Sequence, residues 1–69
     1  MNNHIEDIIS LNYQKAGISS IPEEVLKNKD TLIELDVSGN SFSDFYSVLE
    51  DLKKLKNLKN LKINIYTQE

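Results

Sequence analysis

The chain has no cysteine, so neither a disulfide framework nor a thiolate zinc site can reinforce it. It has no arginine either: all eight basic residues are lysine, and the formal charge is −3 with a pI near 5.0. A mildly acidic chain without the residue best suited to phosphate is a poor nucleic-acid binder. Apolar runs are short. None approaches the ~18 residues of a membrane span, so no span is expected. The start, Met1 to Asp7, lacks a basic segment followed by an apolar core, so no secretory signal is visible and a cytoplasmic location is the expectation. Glycine occurs twice, at Gly17 and Gly39, and proline once, at Pro22. Histidine occurs once, at His4, away from any cluster with ligand spacing. The pairs Glu6-Asp7 and Glu23-Glu24 have no nucleophile or base placed beside them. No phosphate loop, zinc-protease motif, nucleophile elbow or EF-hand spacing is present. No enzyme activity, metal or cofactor is therefore expected.

What is present is an internal repeat. Ile8-x-x-Leu11-x-Tyr13-x-x-Ala16-x-Ile18-x-x-Ile21 and Leu32-x-x-Leu35-x-Val37-x-x-Asn40-x-Phe42-x-x-Phe45 place their residues at the same offsets, 24 apart (32 − 8). A third copy, Leu58-x-x-Leu61-x-Ile63, is offset by 26 from the second (58 − 32). Residues 1–7 read as a polar lead-in. Residues 8–69 read as the domain, with repeats near 8–31 and 32–57 and a partial one at 58–69. The second half of each apolar segment alternates, which is the mark of a strand. Leu35 and Val37 point inward and Glu34 and Asp36 outward, and turns follow at Ala16-Gly17 and Ser38-Gly39-Asn40.

The return segments read as helical. Pro22 suits a first helical position, with Glu23 and Glu24 at the positive end of the dipole and Val25 and Leu26 inward. In the second, Ser43 or Ser41 is the expected cap. Phe45, Val48, Leu49, Leu52 and Leu55 form one apolar stripe, and Leu52 should face Leu35 and Val37. Glu50 and Lys54 are spaced for an exposed pair worth ~0.3 kcal/mol. Tyr13, Tyr46 and Tyr66 read as core or edge residues.

These residues resemble a family. Leu32-x-x-Leu35-x-Val37-x-x-Asn40-x-Phe42 is similar to the leucine-rich-repeat consensus L-x-x-L-x-L-x-x-N-x-L. Ile18-Ser19-Ser20-Ile21-Pro22-Glu23-Glu24-Val25 resembles the L-x-x-L-P-x-x-L continuation of many such repeats, and Leu52 to Leu61 resembles the Leu-every-third-residue lead-in of the cytosolic subclass. The resemblance covers about residues 8–65. The first repeat departs from it, with Ala16 where the consensus has Asn, so Asn40 lacks neighbours for a buried Asn ladder. Tyr66 stands at the corresponding place in the third.

The resemblance implies an α/β solenoid with a parallel three-strand sheet on the concave face and helices or turns on the convex face. It also implies a protein–protein interaction module. In that register the outward residues stack in columns: Asn12, Asp36, Lys62; then Ser10, Glu34, Asn60; then Gln14, Ser38, Asn64, with Ile9, Ile33 and Lys59 flanking. The candidate protein-binding face is Ile9, Asn12, Gln14, Ile33, Glu34, Asp36, Asn60 and Lys62. A solvated sheet face with no partner is the alternative. Lys53, Lys54, Lys56, Lys59 and Lys62 form a basic cluster that reads either as a site for an acidic partner or as a solvated surface.

Solenoids need about three repeats and polar caps, and here the third repeat stops mid-pattern. The expectation is a piece of a longer repeat protein. The alternatives are an open end that packs on another chain, or a cap made from Tyr66 onward. Self-association through that edge follows as a further expectation, as does the rival role of a small subunit built into a larger assembly.

Overall fold

In the computed structural model, which describes residues 7–64, the chain is a small α/β unit. Three strands, β1 (Ser10–Asn12), β2 (Glu34–Asp36) and β3 (Asn60–Lys62), alternate with two helices, α1 (Glu23–Lys27) and α2 (Phe45–Leu52). The strands form one open parallel sheet in the order β1-β2-β3. Leu35 pairs with Leu11 on one side and Leu61 on the other, as the offsets between the repeats require. The ladder continues beyond the strands: Tyr13 N–H donates to the Asp36 carbonyl at 2.7 Å and Val37 N–H to that of Lys62 at 2.8 Å.

The core lies between the sheet and the return segments. Ile21, Val25, Leu32, Leu35, Val37, Val48 and Leu55 are buried, and Ile8, Leu11, Tyr13, Ile18, Phe42, Phe45 and Leu58 pack around them. Leu52 is half-buried at the margin. It packs against the cluster that includes Leu35, Val37, Val48 and Leu55, as expected of it. α2 closes with Leu52, so Leu55 reaches the core from the turn beyond the helix. The expected stripe is therefore broken. Leu49 and Tyr46 are exposed, the latter against its expected core or edge role.

Local details differ from the spacing in three places. Asp44, rather than Ser43 or Ser41, caps α2: its carboxylate accepts from the N–H groups of Tyr46 and Ser47 and from the Ser47 hydroxyl. Ser43 is instead used between repeats, its N–H bonding the Ser19 carbonyl at 3.1 Å. Pro22 is the residue before α1, with extended ψ 150, and Glu23 is the first helical residue. The lysines that follow α2 pair one residue closer than expected, Lys53 with Glu50 at 3.6 Å and Lys54 with Asp51 at 3.5 Å. Both pairs lie at the surface and contribute little.

Candidate sheet-face interaction site

The outward faces of the three strands meet in a shallow cleft of about 320 Å³. Its polar lining is Ser10 and Asn12 from β1, Glu34 and Asp36 from β2, and Asn60 and Lys62 from β3, together with Leu11 and Leu35. The parallel register explains this convergence. Ser10, Glu34 and Asn60 form one row across the sheet and Asn12, Asp36 and Lys62 the next. Strand alternation sends both rows to the side away from the core.

Hydrogen bonds along the first row are loose. The Ser10 hydroxyl donates to Glu34 at 3.3 Å and the Asn60 amide to Glu34 at 3.5 Å. The second row is set by turns. Asn12 Oδ1 accepts from Gln14 N–H at 2.8 Å, and Asp36 Oδ1 accepts from the same position one repeat on, Ser38 N–H at 3.0 Å. The Ser38 hydroxyl adds a 2.6 Å bond. These bonds, the hydroxyl first, hold the Asp36 carboxyl below its usual range, and the Lys62 ammonium acts in the same direction. The cleft thus offers two carboxylates, one ammonium and neutral donors on a parallel sheet. Among the described residues no group of three His, Cys, Asp or Glu side chains is arranged to hold a metal ion.

Five of the eight expected face residues line the cleft: Asn12, Glu34, Asp36, Asn60 and Lys62. Gln14, Ile9 and Ile33 lie outside it. Ile9 is exposed, as expected of an anchor, but Ile33 is half-buried. The expected pair of exposed isoleucines is therefore a single one. Ser10 also lines the cleft, although the expected binding face omits it; its row with Glu34 and Asn60 carries the signal that finds it.

Beneath the turns lies the feature that holds the rows in register. Asn40 is buried, and its Oδ1 accepts from the N–H groups of Ala16, Gly17 and Ile18 at 3.1, 2.9 and 3.2 Å. Its amide donates to the carbonyls of Tyr13, Val37 and Ser38 at 2.9, 3.0 and 3.2 Å. Asn40 thus needs no second asparagine, because the backbone around Ala16 supplies the donors. Asn64 makes a lesser contact one repeat on, accepting from Gly39 N–H at 2.8 Å. Tyr66, the residue in register with Asn40, lies outside the described residues. On the opposite side, Tyr13 donates its hydroxyl to Glu24, which raises the phenol to about 12.

No protein-family model, curated protein or solved structure matches this chain. No helix among the described residues is long and apolar enough to cross a membrane.

Proposed function

We propose that the chain is a non-enzymatic protein-binding module of leucine-rich-repeat type, acting in the cytoplasm as an adaptor or scaffold, whose contact surface is the outward face of the sheet. The observation that carries this reading is the cleft itself, built from side chains of all three strands in aligned rows. Repeat proteins of solenoid form use such stacked faces for recognition. The buried Asn40 bonds, made at the consensus Asn position, support the family resemblance. A sheet face with charges of both signs favours a polar, charge-matched protein partner over an apolar ligand.

The second reading is a small subunit built permanently into a larger assembly through the β3 end. It is favoured by the exposure of Leu49 and Leu61 in the last two repeats.

Charge reversal on the sheet tests the first reading. Asp36→Lys is a poor probe, because it also removes the two bonds from Ser38 that shape the turn. Glu34 makes only long contacts, so Glu34→Lys changes the face with little effect on folding. The immobilised wild-type chain and a Tyr46→Ser variant should capture the same proteins from extract, and Glu34→Lys should lose them. Equal capture by all three would remove the sheet face as the contact surface.

A further inference from the structure

We infer that copies of this chain stack head to tail, with β3 of one copy lying beside β1 of the next. The argument starts from residues that occupy the same place in successive repeats. Val25 is fully buried, and Leu49, its counterpart one repeat on, is 41% exposed. Leu35 is 2% exposed, and Leu61, its counterpart in the third repeat, is 40% exposed. Ile21, Leu32 and Val37 are buried, while their successors Phe45, Leu58 and Ile63 are half-buried. In each pair the earlier residue is covered by the repeat that follows, and the later one has no such cover among the described residues. The cover that these later residues lack among the described residues corresponds to the leading face of a repeat.

Among the described residues one such face is left without a neighbouring repeat. Ile8, Leu11 and Tyr13 of the first repeat stand where Leu32, Leu35 and Val37 stand in the second, and they are half-buried rather than buried. Among the described residues both edges are also open to hydrogen bonding. Ile9, Leu11 and Tyr13 turn their backbone groups toward β2, as the bonds at Ile9 and Tyr13 show, which leaves those of Ser10 and Asn12 facing outward. On β3, Asn60 and Lys62 bond to the β2 side, and Leu61 faces the open edge. Open edges of this kind pair with other chains.

Charge selects a second copy in head-to-tail order over a symmetric pair. Residues 53–62 contain Lys53, Lys54, Lys56, Lys59 and Lys62 and no carboxylate. Pairing β3 with β3 would bring Lys59 and Lys62 of both copies into one strip. Extending the existing register instead sets Asn60 beside Ser10, Lys62 beside Asn12, and Lys59 beside Ile9 of the next copy. Asp7 of that copy, two residues before Ile9, is then within reach of Lys59. Such contacts are heterologous and need not close on themselves. They leave the sheet-face cleft open, so the inference does not depend on what that face binds.

Sedimentation velocity of the full chain tests it. The wild type should grow beyond a dimer as concentration rises, and added salt should weaken the growth. Leu61→Lys blocks the trailing face, and Ser10→Pro blocks the leading edge at a position where a strand tolerates proline. Each variant alone should be monomeric, with self-association at least about tenfold weaker. An equimolar mixture should form a heterodimer through the intact faces and stop there. Circular dichroism melting checks that both variants fold. If Leu61→Lys does not, Leu49→Lys replaces it. A monomeric wild type at all concentrations, a closed wild-type dimer, or a mixture that stays monomeric would overturn the inference.

Discussion

Leu35 and Leu61 are the same residue type, at the same place in a strand, paired with each other across the sheet. Leu35 is nearly inaccessible and Leu61 is two-fifths exposed. The difference lies in the neighbours: among the described residues β2 has a strand on each side and β3 on one. The contrast extends from the strands to the turns. The turn after β1 is tied to the next by Asn40, which makes six hydrogen bonds. The turn after β2 is tied to the third repeat by the Asn64 bond to Gly39. Apolar periodicity alone therefore does not create a core. The strand positions are buried where a repeat stacks over them, while Val48 in α2 is buried without a further helix beyond it among the described residues.

Core truncation should separate the two regions most strongly. Leu35→Ala should cost about 2–4 kcal/mol, because burial is lost and a cavity remains. Leu61→Ala should cost less than about 1 kcal/mol, since a half-exposed side chain loses little on truncation. Urea melts of the two variants measure this, and equal losses would mean that β3 is covered in solution.

The turns come next. Asn40→Ala strips partners from three N–H groups and three carbonyls, some of which water can reach, and should cost roughly 2–3 kcal/mol. Asn64→Ala removes the bond to Gly39 and should cost about 0.5–1 kcal/mol. Similar melting midpoints for the two would erase the distinction between the seams.

Backbone conformation sharpens the comparison further. Gly39 has φ +75, and Lys15, the residue in register with it, has φ +52. A Cβ on Gly39 would also come within 2.6 Å of the Lys15 side chain. Gly39→Ala should therefore cost about 1–2 kcal/mol, whereas Lys15→Gly should be neutral or stabilising by up to about 1 kcal/mol. A stabilising Gly39→Ala in thermal melts would contradict both observations.

The smallest effect is on acid stability. Asp36 and Asp44 hold their protons less tightly in the fold than the usual 3.8, each chiefly through a serine hydroxyl. A lowered folded value means that the stabilisation is present above the unfolded value and is lost as pH falls through the folded one. Asn12 makes the corresponding turn bond in the first repeat without a titrating group. Melting midpoints of wild type and Asp36→Asn should therefore converge as pH drops below 3.8, while the first turn is unaffected. A gap between the two that does not narrow with acid would show that Asp36 acts through size or shape instead of charge.

Much of this architecture is legible in the residues. The alternation Leu35-Asp36-Val37 places the central strand, and the offsets of the first and third copies place its partners in the observed register. The rows of the cleft follow from that register, which is why Asn12, Glu34, Asp36, Asn60 and Lys62 come together as expected. The helix details are less legible. Asp44 competes with two nearby serines for the cap and takes it, while Ser43 is bonded to the Ser19 carbonyl instead. The apolar stripe overstates the length of α2 because Leu55 keeps the periodicity while the backbone has already turned.

By itself the sequence determined the repeat period, the parallel pairing that follows from it, and which side chains alternate toward solvent, because strand geometry permits one register that buries the leucines. Only the tertiary structure decided how deeply each apolar position is buried. It also decided that Asn40 draws its donors from a turn with no asparagine, and that Ile33 is sheltered while Ile9 is not. The reason is that burial and hydrogen-bond satisfaction belong to pairs of repeats: what lies above and below a residue is not written at that residue.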